Sequence, residues 1–448
     1  MAGEIIDWRR EPQAAFAAAR ASGRPLLLYW GATWCPPCNR TKSTVFGRPD
    51  FIELSRSFIA LAIDGDSPDA QRLAEQFKLR SYPTLVVYRA DGAEVTRLPC
   101  ELDGARFVQL LELALRVPFT AAESLVAALS GERTLADDEW RLLGFYSWDT
   151  DERQLLKNLD LATVAASLAR ACTLPEAAVR LEWLALHAAV KANQVDIDRD
   201  VAISRLCATL ADADRVRSQL DIVMGYATDL VRFLAVPGSL IASWSGALQT
   251  LENDDTLDMS DRLGALRTRV RLARLGANLD AGLIARAREQ VAFATALPLS
   301  PEQRHAITNT GAGLLMDAGL LGEAQQLLES VLPSSHSPYY FMHTLAAIAK
   351  RRGEQATALD WFEQAWSSVT GSATRLQWGA TYLLALLDLS PGDAGRIERC
   401  AQALLRDVES TPDAACQRNR TQLGRIAKAL SGNAALGENA AALLAAVG

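Results

Sequence analysis

Leu26-Leu27-Leu28-Tyr29-Trp30-Gly31-Ala32-Thr33-Trp34-Cys35-Pro36-Pro37-Cys38 decides how the N-terminal part of this chain folds. The apolar run at 26–30 has the length and composition of a buried strand, and the residues after Cys38 read as helix. Two cysteines with two residues between them at a strand-to-helix junction form a dithiol/disulfide redox site. The helix N-terminus turns its positive dipole end toward the first sulfur, and the spacing lets the second reach back to close a disulfide. Both halves of thiol–disulfide exchange are then present: Cys35 attacks and Cys38 releases.

The same pair could be half of a zinc site, which needs two further Cys or His ligands at about 2.0–2.3 Å. Residues 1–117 hold no His and, besides the pair, only Cys100, so the redox reading is preferred and neither metal nor other cofactor is expected. Asp64-Gly65-Asp66 lacks the spacing of a calcium loop and reads as a solvated turn after a strand.

Outward from the motif, the order is strand (25–30), Cys-x-x-Cys helix (to Phe46), strand (58–63) and helix (69–77), then Ser81-Tyr82-Pro83-Thr84. A strand (85–88), a turn at Asp91-Gly92, a strand (94–98) and a closing helix (103–117) complete it. This order, with Trp34 before the first Cys, resembles the thioredoxin superfamily, an α/β fold. Lys42 to Asp66, with Val45-Phe46, Pro49 and Ile63-Asp64, looks most like the thioredoxin domains that end transmembrane disulfide-interchange proteins and their soluble relatives. The resemblance implies a thiol–disulfide oxidoreductase with Cys35 as nucleophile, Cys38 as resolving thiol and Pro83 as a cis-proline facing the pair. A cis X-Pro bond is uncommon enough to need such a reason. It further implies substrate contacts from Trp34, Pro36, Pro37, Tyr82, Thr84 and Cys100. The implied partners are protein disulfides and an upstream thiol or disulfide reductant.

Three positions depart from the family. Tyr29 stands where thioredoxin proper has a buried Asp that helps proton transfer from the second thiol, and Ala60 aligns with that Asp's Lys partner. Assistance to Cys38 must then come from water or another group. Cys100 falls where the family usually has Gly at the rim of the substrate groove. It is read either as a small residue at a strand end or as a third thiol that exchanges with Cys35 or protects it.

Pro36 suits the first helical position, and neither Pro36 nor Pro37 can donate an N–H to the Cys35 thiolate. Strong oxidants stabilise the reduced thiolate, whereas this motif does so weakly. A reductase or interchange role is favoured over an oxidase.

Val117-Pro118 is the expected boundary between a redox domain (1–117) and an all-α domain (118–448). Beyond it, segments such as 175–192, Met259–Leu275 and 394–408 carry apolar residues at helical spacing, and no convincing strand follows. Gly319, Ala324 and Leu328 recur as Gly353, Ala358 and Phe362, a period of 34 residues, with Ala312 and Ala346 as the small residues of the preceding helices. The period resembles the tetratricopeptide repeat, clearest over 301–389, and implies a solenoid of helical hairpins. The consensus Trp and Tyr are missing, and 119–299 reads equally well as an irregular solenoid.

Net charge is −7, of which residues 1–117 contribute +1 and the remainder −8. Neither part has the basic footprint of a nucleic-acid binder. The run 233–251 is broken by Pro237-Gly238 and reads as two core helices, so no transmembrane segment is expected. Cys172, Cys207, Cys400 and Cys416 are scattered through helices and read as core residues. His187 reads as a satisfied core residue, and His336 and His343 lack a supporting carboxylate pattern. With no leader after Met1 the chain reads as cytoplasmic if complete as given. If a leader has been removed from before Met1-Ala2-Gly3, the interchange-protein resemblance favours a bacterial periplasm.

Two functions stay open at this level. In one, the redox pair reduces or exchanges protein disulfides while the helical domain binds a partner or substrate. In the other, the helical array is a chaperone-like adaptor and the pair is regulatory.

Overall fold

The computed structural model describes residues 6–148, 150–151, 154–194, 197–431 and 437–447, so Met1-Ala2-Gly3 lies outside the described residues. Tertiary contacts gather the chain into two compact units. One comprises Met1–Tyr29, Pro36–Ala62 and Pro83–Leu320; the other comprises Trp30–Cys35, Ile63–Tyr82 and Leu321–Gly448.

The first unit carries most of a five-stranded sheet of order β1-β3-β2-β4-β5. Its strands are β1 (Trp8–Arg9), β2 (Leu26–Gly31), β3 (Ile59–Asp64), β4 (Thr84–Tyr88) and β5 (Glu94–Leu98). Every residue of the central β2 is buried, which is why it reads as an unbroken apolar run rather than an alternating one. β4 and β5 pair antiparallel, with Leu85 opposite Leu98. The edge strand β1 pairs parallel with β3, Trp8 opposite Ala60.

Five helices accompany the sheet: α1 (Pro12–Ser22), α2 (Pro36–Thr41), α3 (Pro49–Leu54), α4 (Ala70–Gln76) and α5 (Gly104–Ala114). α1 opens on a proline in its first turn and stops at Gly23, whose φ of 70° only glycine adopts freely. The helix after Cys38 reaches Phe46 as expected, but its last part, Lys42–Phe46, is wound as a π-turn in which Gly47 N–H donates to the Lys42 carbonyl at 3.1 Å. Such single π-turns concentrate at functional sites. Here the turn delivers Phe46 onto Trp8, at 5.0 Å between ring centroids, and Tyr29, at 5.1 Å.

Beyond Leu98 the described residues contain helices and no strand. Thr120 and Glu123 form a reciprocal capping box that starts the helix Ala121–Ser130. Trp140, Leu143, Leu168 and Leu181 form one core, and Leu206, Val223, Trp244 and Leu272 belong to the next. The run 233–251 divides between helices Ala227–Phe233 and Gly238–Asn253. Among the described residues, no helix is long and apolar enough to cross a membrane.

The second unit is built on successive helices that include Leu321–Val331, Pro338–Arg351, Gln355–Ser367, Ser372–Leu389, Ala394–Ser410 and Gln417–Ser431. The repeat positions behave as the sequence pattern requires. Gly353 takes φ 79° at the turn between two of these helices, and Ala346 and Ala358 are completely buried where a larger side chain would hold the helices apart.

Candidate functional site

Cys35 and Cys38 are joined in a disulfide. Cys38 is completely buried and Cys35 is only 3% exposed. Pro36 is buried, Pro37 half-buried, and the Cys35 N–H turns back toward the Ala32 carbonyl at 3.4 Å. Tyr29 lies in an aromatic group with Trp8 and Phe46. The position that holds an acid in thioredoxin proper is therefore part of an apolar core.

Pro83 and Thr84 are buried at the start of β4. Cys100 is a free, buried thiol whose Sγ lies 3.6 Å from the Pro83 carbonyl oxygen and 3.7 Å from that of Leu98. Burial pushes this thiol far above its ordinary titration range, so it stays protonated. Beside it, Arg40 donates to the carbonyls of Cys100 at 3.1 Å and Leu102 at 3.0 Å. The same guanidinium makes a two-pronged ion pair with Asp261, at 2.7 and 2.8 Å, on the helix Met259–Leu275. Arg40 stands two residues beyond Cys38, so this buried pair fixes the helix that carries the resolving thiol.

The loop that carries Cys35 is held in the second unit. Trp34 is 6% exposed, and its Nε1–H donates to the Thr374 hydroxyl at 2.6 Å. Its ring stacks on Tyr340 at 5.8 Å and meets Trp378 at 5.7 Å and the edge of Tyr82 at 5.9 Å. The Arg418 guanidinium lies 5.5 Å from the Trp34 ring centroid and 4.9 Å from that of Tyr82. Thr374 also reaches Asp66: its N–H donates to Oδ1 at 2.7 Å and its hydroxyl donates to Oδ2 at 2.6 Å. Burial pushes the Asp66 carboxyl up, opposed by these donors.

Gly65 allows the approach of Tyr82. A Cβ there would lie 1.9 Å from the Tyr82 hydroxyl, so any other residue displaces the ring. Gln71 then joins these segments: its Nε2 donates to the Gly65 carbonyl at 2.8 Å and to the Tyr82 hydroxyl at 3.1 Å, and its N–H donates to Asp413 at 2.8 Å.

Trp34 and Tyr82, both expected at a substrate surface, are thus brought together. Asp64-Gly65-Asp66 departs from the expected solvated turn, because Thr374 supplies partners for Asp66 that no local pattern announces. Thr374, Tyr340, Trp378, Arg418, Arg40 and Asp261 carry no motif and escape sequence reasoning. His336 approaches the Thr33 carbonyl at 3.1 Å, and His343 stacks on Trp378 at 4.5 Å.

The family model of the thioredoxin-like domain matches residues 12–115. A thioredoxin H-type from Fagopyrum esculentum is 32% identical over 119 residues, 26% of this chain and 90% of that protein. The thiol:disulfide interchange protein DsbD of Pseudomonas fluorescens is 33% identical over 103 residues, 22% of this chain and 18% of that protein. This chain therefore spans less than a fifth of the length of that interchange protein. A solved thioredoxin from Thermus thermophilus is 29% identical, covering 24% of this chain and 85% of its own, with a TM-score of 0.22.

Proposed function

Because this chain belongs to the thioredoxin family, with the matching domain at residues 12–115, we propose that it is a thiol–disulfide oxidoreductase that reduces or exchanges disulfides of protein substrates. The observation that carries the reading is the Cys35–Cys38 disulfide at the start of α2, between a buried strand and a helix. In the reduced protein the Cys35 thiolate attacks a substrate disulfide. A Cys35–substrate disulfide forms, and the other substrate sulfur leaves as a thiolate. The Cys38 thiol loses its proton to solvent or a neighbouring group and attacks the Cys35 sulfur. The internal disulfide closes and the second substrate thiolate departs. Two electrons pass to the substrate, and an upstream dithiol must return them. Pro83 serves as the cis-proline beside which the substrate backbone lies, with Trp34, Pro36, Pro37, Tyr82, Thr84 and Cys100 around it.

The division of labour is a redox domain at 1–117 and a helical domain at 118–448 that binds a partner or substrate polypeptide. Val126 and Leu129 are exposed on the helix Ala121–Ser130, and an open cavity of about 400 Å³ is lined by Ala166, Trp183, Leu186, Val201, Ala202 and Leu206. Such surfaces support a binding role.

Cys35→Ser should abolish disulfide reduction, and Cys38→Ser should accumulate mixed disulfides through Cys35. Reduction of small-molecule and protein disulfides alike no faster than by a free dithiol would refute the reading.

A further inference from the structure

Three segments flank the redox pair in the sequence order of the fold: the loop before Cys35, the turn after β3 and the residues before Pro83. Side chains of the C-terminal helices, and of the turn between Ala394–Ser410 and Gln417–Ser431, hold all three. Thr374 bonds Trp34 and Asp66, Asp413 accepts from the Gln71 backbone, and Arg418 lies over Trp34 and Tyr82. Tyr340 and Trp378 close the remaining faces of the Trp34 indole. Cys35 is only 3% exposed, and the neighbouring Trp34 only 6%. A sulfur that attacks a disulfide must meet it in line, and a folded polypeptide cannot bring its own disulfide to an atom shielded to this extent.

We propose that the helices Pro338–Arg351, Ser372–Leu389 and Gln417–Ser431 form a cover that sets the substrate range, with Thr374 and Arg418 as specificity-determining residues. Low-molecular-weight disulfides pass it. Folded-protein disulfides are refused unless their carrier parts the cover by competing for Trp34 and Tyr82. This rests on the dithiol-exchange reading and adds a filter to it.

The cover is built to open. Inside it, His343 Nε2 and Trp378 Nε1 are buried without a hydrogen-bond partner among the described residues. Both groups regain water when the helices move away, which offsets part of the lost aromatic contact. One hydroxyl and one guanidinium of the cover lie directly on Trp34, so single substitutions there should loosen it while the helices themselves stay packed.

The test compares the full reduced chain on two substrates, insulin and a small aromatic disulfide. The wild-type protein should reduce the small disulfide readily and insulin slowly. Thr374→Val and Arg418→Ala should each raise the insulin rate at least tenfold while raising the small-disulfide rate less than threefold. Thr374→Ser, which keeps the hydroxyl, should retain wild-type selectivity. Equal acceleration on both substrates, or none on insulin, overturns the proposal. Exchange with neither substrate refutes the dithiol reading instead.

Alkylation of the reduced wild-type chain decides the cover without relying on turnover or on a variant that folds. Cys35, followed by peptide mass mapping, should react with iodoacetamide far faster, relative to a bulky polymer-linked maleimide, than a cysteine in an unstructured peptide does. A ratio equal to that of the free peptide contradicts the cover.

Discussion

The indole of Trp34 and the hydroxyl of Thr374 are hydrogen-bonded at 2.6 Å across 340 residues of sequence, and the same hydroxyl donates to Asp66. One small side chain thus ties the redox loop and the turn after β3 to a helix far down the chain. Thr374→Val should destabilise the protein by about 1–3 kcal/mol, because the Trp34 N–H and an Asp66 oxygen each lose a partner inside a shielded site. Denaturant unfolding followed by Trp fluorescence measures it, and Thr374→Ser should recover most of the loss. Equal stability of the Val variant would show that the bond contributes nothing.

Arg40 and Asp261 make the second long-range tie, and both side chains are largely buried. Removing the acid leaves a buried guanidinium without its ion-pair partner, and breaking a buried pair in this way costs about 3–5 kcal/mol. Asp261→Ala should therefore lower the unfolding midpoint sharply, while the double replacement Arg40→Met with Asp261→Leu should restore much of the stability. A single variant as stable as the wild type would place the pair among those that contribute little.

His343 gives the stability of the helical region a pH dependence. Burial, helped by the charge of Arg425, pushes its imidazole down to about 4 from an ordinary 6.5. Between those values the unfolded chain takes up a proton that the folded chain refuses. Stability is therefore complete above pH 6.5 and falls as the pH drops toward 4, by at most about 3 kcal/mol from this group. Asp66, whose carboxyl burial pushes up, works in the opposite direction, since its contribution is lost as the pH rises. The difference between wild type and His343→Phe isolates the imidazole. That difference should change between pH 7 and pH 4, and a constant one would rule the histidine out.

Much of the α/β fold was legible because its signals are local. The run at 26–30, the Cys pair, the Asp-Gly turn and the apolar spacing of later helices each state their structure within a few residues. β1 was not legible, since two residues carry no periodicity and Trp8 becomes a strand only by pairing with Ala60. The surroundings of Trp34 were equally hidden. Thr374 and Arg418 are ordinary helix-surface residues in the sequence, and only the tertiary fold sets them on an indole. The turn at Asp66 reads as solvated for the same reason, because hydrogen-bond partners more than 300 residues away leave no local trace.

Cys100 lies beside Pro83, but its geometry favours a packing role. Its thiol is buried, held against the carbonyls of Pro83 and Leu98, and kept protonated by burial. Nucleophilic sulfur requires the thiolate. In the reduced protein Cys100 should be alkylated much more slowly than the half-buried Cys207, and Cys100→Ala should leave the peroxide sensitivity of Cys35 unchanged. A Cys35–Cys100 disulfide in peptide maps after mild oxidation would overturn this.

The claim that Cys35 and Cys38 act as one exchanging couple is tested most directly by redox equilibrium. The full chain is equilibrated in graded thiol/disulfide buffers, quenched in acid, alkylated and weighed as its Cys35–Cys38 peptide. A single two-electron transition is expected, in which both cysteines change state together, at a potential well below the roughly −120 mV of a strong oxidant, as befits a motif that stabilises its thiolate weakly. Separate titration of the two cysteines, or a midpoint near that oxidising value, would contradict it.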